Sequence, residues 1–243
     1  IRDSLINILR SKGITMKKYV YLLVFMLGLG WANTSFATGK IGISLAAGVF
    51  ETSGKENENS TDTTEDATVD TSDSKSAEGL FGIGSIFFEK ALSNENISLG
   101  IDYVPFALSS ETSDHKQSER SLSADSSSTV TNKVQVDFED LLTLYAKVDF
   151  DNNFYGKVGY MQVEAVTNES LGTGGAYGDE TLTGYTLGIG YETDLDNGAF
   201  VRLEGNWMQI GGETFTNTVN TSTNVVVDDI DGYGARLSIG KSF

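Results

Sequence analysis

The chain carries one histidine, His115, in Ser-Asp-His-Lys-Gln-Ser at 113–118. An imidazole flanked by hydroxyl and carboxyl side chains is the raw material of a nucleophilic triad. The surrounding stretch, 107–132, is Ser-rich and acidic without pattern, so such neighbours arise from composition alone. A centre acting on lipid would also place His and Ser at the lipid-facing end of a strand, not in the middle of a polar segment. No catalytic residue is expected, and the chain is not expected to be an enzyme.

Metal and phosphate chemistry find no better footing. Glu51, Glu56, Glu58, Asp62, Glu65, Asp66, Asp70 and Asp73 are hard oxygen ligands of the kind Ca²⁺ and Mg²⁺ take. No EF-hand spacing orders them, and they read as a solvated surface. Asp-Leu-Asp-Asn-Gly at 194–198 resembles half a calcium loop, but Asn197-Gly198 accounts for it as a hairpin turn. Gly-Thr-Gly-Gly-Ala-Tyr-Gly-Asp at 172–179 lacks the lysine of a phosphate loop. Cysteine is absent, which removes disulfides and thiolate ligands. Neither a metal nor a cofactor is expected. A net charge of −17 argues against nucleic acid, which binds basic stripes that replace phosphate counterions.

A second set of charges is regularly placed. Asp102, Lys147, Lys157, Glu192, Arg202, Glu204 and Arg236 lie in runs that alternate with period two, the signature of a strand with two unlike faces. Ile97, Leu99, Ile101 and Tyr103 alternate with Ser98, Gly100 and Asp102, and Leu142, Leu144, Ala146 and Val148 with Thr143, Tyr145, Lys147 and Asp149. Tyr185, Leu187, Ile189 and Tyr191 oppose Thr186, Gly188, Gly190 and Glu192, while Val201, Leu203 and Trp207 oppose Arg202, Glu204 and Asn206. A water-facing exterior would be crowded with long Lys, Glu and Gln. Small residues interleaved with charges of both signs fit a narrow barrel interior, where charges must pair. The apolar face then meets lipid, the reverse of an exported lipocalin-like binder with an apolar cavity.

Eight such runs are predicted: 40–50, 79–92, 96–106, 133–150, 154–166, 182–193, 199–210 and 231–243. Faces in the second run are hard to assign. Tight turns rich in Asn, Asp and Gly alternate strictly with long connections at 51–78, 107–132, 167–181 and 211–230. In an antiparallel meander that alternation gathers all long loops at one rim. Their Ser, Thr and acidic composition predicts mobility, because little apolar surface offsets the entropy of ordering. Gly is frequent at 27 and Pro occurs once, at Pro105, as a chain made of paired strands requires. Phe150, Phe154, Tyr191, Phe200 and Phe243 near the turn rim, and Phe81, Tyr103, Tyr185, Trp207 and Tyr233 near the loop rim, predict two interfacial girdles.

A targeting segment precedes these runs. From Met16, Lys17 and Lys18 lead into an apolar run, Tyr19–Leu29, that closes on Ser35-Phe36-Ala37, the three-part pattern of a secretory signal. Cleavage after Ala37 is expected. The domains are then an upstream non-native or read-through segment, 1–15, a signal peptide, 16–37, and one barrel, 38–243.

Signal, eight alternating runs, strictly alternating turns and loops, and a final strand ending on Phe243 together resemble the small Gram-negative outer-membrane β-barrels of the OmpA-like transmembrane or OmpX type, over 38–243. The resemblance implies an all-β fold, an eight-stranded antiparallel up-and-down transmembrane barrel, with periplasmic termini and short turns and with extracellular loops. It implies that Tyr233, Leu237, Ile239 and Phe243 form the signal read by the barrel-assembly machinery; Lys241 departs from the pattern but can snorkel at the rim. A barrel closed by eight strands implies a lumen filled by side chains. The expected partners are outer-membrane lipid and lipopolysaccharide, and a monomer is expected. The expected role is structural or surface-exposed: envelope integrity, adhesion or shielding. The alternative is a narrow, low-conductance diffusion channel; a lipid A-modifying enzyme is the least favoured.

Overall fold

The computed structural model describes residues 39–59, 70–92, 96–105, 108–109, 113–120, 127–171, 176–219 and 223–243. The expected cleavage at Ala37 and the segments 1–15 and 16–37 lie outside them. Twelve strands occur among the described residues: β1 (Gly39–Asn59), β2 (Asp70–Ala91), β3 (Ile97–Val104), β4 (Leu108–Ser109), β5 (Ser113–Arg120), β6 (Ser127–Asp149), β7 (Phe154–Leu171), β8 (Glu180–Asp194), β9 (Ala199–Ile210), β10 (Glu213–Thr216), β11 (Thr223–Val227) and β12 (Ile230–Ser242).

Eight of them form the wall. β1, β2, β3, β6, β7, β8, β9 and β12 pair antiparallel in that order, and β12 returns to pair with β1 from Lys40↔Ser242 to Glu51↔Asp231. The last residue seals the join, because the Phe243 and Gly39 backbones exchange hydrogen bonds of 3.0 and 2.9 Å. Following partners around the wall from Gly39 through Lys90, Leu99, Ala146, Val158, Leu187, Trp207 and Tyr233 returns to β1 at Val49, ten residues along. A stagger of that size over eight strands, at ~3.3 Å per residue and ~4.7 Å between strands, tilts the strands by about 40°.

Turn chemistry follows the sequence closely. Asn152, Asn153 and Asn197 adopt positive φ of 66°, 68° and 79°, and Gly198 follows at 79°, the left-handed conformations that tight hairpins demand. At the other rim the ladders continue well past the expected ends. The 51–78 connection, expected to be mobile, carries the β1–β2 ladder out to Asn59↔Asp70, and 107–132 contributes β4, β5 and the start of β6. Once the base of a hairpin is fixed, each further pair shortens the loop left to close, so polar residues suffice to extend it.

The two faces exchange polarity along the barrel. Near the turns the wall is apolar outside and polar inside: Leu45, Val158, Leu187, Ile189 and Leu237 are exposed, whereas Ser44, Ser98, Thr186 and Ser238 are buried. Above Tyr160, Tyr185 and Trp207 the order reverses. Met161, Val163, Ala165, Leu182 and Ile210 turn inward as one buried cluster, while Gln162, Glu164, Thr181 and Thr183 lie on the outer face. In β6 the change of side is made by a bulge between Glu139 and Leu142, where Asp140 has φ 54° and Tyr103 Oη donates to its Oδ1 at 2.6 Å. The bulge shifts the alternation so that Val136 and Phe138 face the cluster.

Two residues assigned to the aromatic girdles face the lumen instead. Phe200 is fully buried and shares its face with Arg202 and Glu204, and Phe81 lines an internal cavity. Both lie beside a cross-strand glycine, Gly240 and Gly48, whose missing Cβ leaves room for the ring.

Candidate functional site

The lumen gathers all seven charged residues singled out above, and the β-sheet register sets them in tiers. In the tier nearest the turns, Arg202 on β9 reaches across to Glu89 on β2, three strands away around the wall. Its Nη1 and Nη2 donate to the two Glu89 carboxylate oxygens at 3.1 and 3.3 Å, and its Nε donates to Glu192 Oε2 at 2.7 Å. A guanidinium forked to two carboxylates is the strongest geometry available to a buried ion pair. Lys147, 0% exposed, lies 3.5 Å from Glu89, 3.8 Å from Glu192 and 2.6 Å from Asp149. Lys40 also pairs with Glu192. Tyr145 Oη donates to Glu89 at 3.0 Å.

Aromatic rings close this tier around the guanidinium. The Arg202 Cζ lies 5.2, 5.1 and 5.3 Å from the ring centres of Phe87, Tyr155 and Phe200, within cation–π range. Each of these rings, and that of Tyr145, faces a glycine across the ladder: Phe87 and Gly42, Tyr155 and Gly190, Phe200 and Gly240, Tyr145 and Gly100. A Cβ at Gly100 or Gly190 would enter the opposing tyrosine ring. Close approach, not turn geometry, is what these glycines provide.

A second tier sits above the first. Glu204 accepts from Tyr155 Oη at 2.8 Å and pairs with Lys157. Arg236 on β12 crosses to Asp102 on β3 at 2.5 Å, and Ser85 donates to the same carboxylate at 3.1 Å. Ser44 and Ser238 share a 2.9 Å hydrogen bond. The two tiers hold five cations, Lys40, Lys147, Lys157, Arg202 and Arg236, against five anions, Glu89, Asp102, Asp149, Glu192 and Glu204. Such balance is what confinement requires, since an unpaired charge in a site with little water is costly.

Above the charges the lumen is sealed by apolar side chains. Tyr177, from the 176–179 segment, and Phe215, from β10, pack into the inward cluster of Met161, Val163, Ala165, Leu182 and Ile210. Thr218 N donates to Ala176 O at 2.9 Å and Thr167 Oγ1 to Tyr177 O at 2.9 Å, tying the covering segments together. β11 extends β12 along β1, and the Asp228 kink between them is held by Ser53 and Thr52. At the turn rim a concavity of about 320 Å³ opens over Lys40, Glu89, Asp149 and Asp194.

Sequence reasoning missed Glu89, Lys40, Phe87 and the cap. Glu89 sits in Phe87-Phe88-Glu89-Lys90, where two aromatics and then two charges are adjacent and no alternation can be read. His115 lies in β5, paired through its backbone with Asn132 and away from the charged tiers. No group of three or more His, Cys, Asp or Glu that would hold a metal occurs among the described residues.

No family model and no curated protein matches the chain. Among solved structures it is similar to the outer membrane protein OprG from Pseudomonas aeruginosa, at 12% identity and a TM-score of 0.39, covering 86% of this chain and 96% of that one. It is also similar to the outer membrane protein AlkL in lipid bilayers, at 14% identity and 0.43, over 87% and 92%. Neisserial surface protein A follows at 11% and 0.33, over 83% and 98%. The closed eight-strand architecture rests on this chain's own strand pairing.

Proposed function

We propose that the protein is an integral outer-membrane barrel with a plugged lumen, serving a structural or surface-interaction role through the polar segments of its loop rim. The exchange of polarity along the wall carries the membrane part of this reading. A soluble barrel would be polar outside throughout; here an exposed apolar band gives way to polar residues at one level on β6, β7, β8 and β9. From Thr183 to Thr193 on β8, ten residues at ~3.3 Å and a tilt of ~40° rise about 25 Å, the height of the apolar band of such barrels. Tyr185 and Tyr191 lie within that span and mark its edges, 60% and 42% exposed. The ion-paired tiers carry the other part, because Arg202 and Arg236 cross the lumen where a channel would run.

In this reading the loop rim is extracellular and the termini are periplasmic. Lipid and lipopolysaccharide surround the band, and the chain acts as a monomer. Tyr233, Leu237 and Ile239 on the outer face of β12 and Phe243 just beyond its end, all about half exposed, present themselves to the barrel-assembly machinery. Catalysis has no part in it, and His115→Ala leaves lipid A acylation unchanged. The test is planar-bilayer recording on refolded protein, with heat-dependent gel mobility confirming the folded barrel. Folded protein without stable conductance steps is expected. Reproducible open steps would replace the plug with a narrow diffusion channel, and recovery of the protein in the soluble periplasm would overturn the membrane reading.

A further inference from the structure

We propose that the small cavity between the upper ion pairs and the apolar cap is a binding site for one structural water molecule, held by Arg236 and Asn206. The cavity measures about 20 Å³. Thr143, Lys157, Asn206 and Arg236 are among its polar lining, with Asp102, Tyr145 and Thr186, and Met161 and Met208 are among its apolar lining. Two buried atoms lack any hydrogen-bond partner there: Arg236 Nε, a donor, and Asn206 Oδ1, an acceptor. Burying each unpaired would cost about 1–3 kcal/mol, and more for the charged one.

Their placement makes one molecule the partner of both. Asn206 pairs with Gly234, two residues from Arg236 and on the same inner face. The carboxylate oxygen Glu204 Oε1 is 4.0 Å from Arg236 Nε, outside hydrogen-bond range. A water accepts from Nε–H and donates to Oδ1, with Thr143 and Lys157 lining the same cavity from the facing strands to complete its shell. The volume fits a single water, which needs about 10–15 Å³ of such space. Charge selects water over a halide: Lys157 is already matched by Glu204 and Arg236 by Asp102, so an anion would arrive unpaired. Ion pairs beneath and apolar side chains above enclose it, so exchange requires the lumen to open.

The measurement is water-to-protein magnetisation transfer in the folded, isotope-labelled protein in lipid nanodiscs. A cross-peak at the water frequency is expected on Arg236 Nε–H, with the sign of a water resident longer than nanoseconds. It is retained in Thr143→Val, which removes a hydroxyl whose own exchange would mimic it, and lost in Asn206→Leu. Absence of the peak in the wild-type protein overturns the proposal without reference to any variant, as does its persistence in a folded Asn206→Leu protein. An anomalous bromide peak in the cavity of crystals grown in bromide would also overturn it, in favour of an anion site. Conductance plays no part in these outcomes, so a leaky lumen and a dry cavity remain distinguishable failures.

Discussion

Arg202→Met removes the guanidinium that joins Glu89 to Glu192 and nearly keeps its length, so a cavity contributes little. The arginine is 4% exposed and Glu89 1%, so both carboxylates stay where water does not reach. Removing one partner of a buried pair typically costs about 3–5 kcal/mol. Lys147 at 3.5 and 3.8 Å and Lys40 on Glu192 remain to compensate, which puts the expected loss near the lower end, about 3 kcal/mol. That is a factor of roughly 150 in the folding equilibrium. Arg202→Met with Glu192→Gln removes one charge of each sign and restores four against four; it is expected to recover at least half of the loss. The assay is equilibrium urea unfolding in lipid vesicles, followed by Trp207 emission and by heat-dependent gel mobility. A single-variant loss under about 1 kcal/mol, or a double variant no better than the single one, would refute the argument. Either result would mean that water screens the lumen, as it screens pairs on an open surface.

Three further substitutions probe the other layers. Ile189→Arg, at a site 65% exposed in the middle of the apolar band, is expected to lose about 2–4 kcal/mol in the same unfolding assay; Thr183→Arg, above the change of polarity, should stay within ~0.5 kcal/mol. Equal effects would remove the membrane boundary from between them. Gly190→Val drives a side chain into the Tyr155 ring and should cost roughly 1–3 kcal/mol by overpacking. Its effect should be strongly non-additive with Tyr155→Ala in a double-mutant cycle, and simple additivity would deny the contact. Phe215→Ala should cost about 3 kcal/mol, and hydrogen exchange should quicken first at 213–216 and 223–227; exchange unchanged there would show that the cap is not held by this ring.

How much of this was legible depends on where alternation is clean. On β8, Tyr185 to Glu192 reads unambiguously, and its structure follows the reading. The seven lumen charges were visible for the same reason: each sits on the polar parity of an alternating run, beside at least one apolar residue of the other face. Glu89 was not, because Phe87-Phe88-Glu89-Lys90 has no period, and only its pairing with β1 and β3 decides which of the two charges turns inward. Partners were invisible in principle. Arg202 meets Glu89 across 113 residues of sequence, and the stagger that brings them level is a property of the closed wall. Phe200 was misplaced by weighting its type over its parity, since it is two residues from Arg202 on the same face.

The cap was hidden by a different cause. Alternation was read with one polarity from end to end, yet the exposed apolar band covers only part of the strands. Where β7 leaves the exposed apolar band after Tyr160, its outer face becomes polar and its inner face apolar: Gln162 and Glu164 turn out while Met161, Val163 and Ala165 turn in. The same strand is thus built by opposite rules in its two halves, which the membrane reading proposed above assigns to a change of solvent outside. The Asp140 bulge serves this change on β6, where the sequence would otherwise keep Phe138 on the wrong face. On that reading a bilayer boundary is written twice in this chain, once in the aromatic residues at the level of Tyr160 and Tyr185 and once in the inversion above them. A soluble barrel has reason for neither.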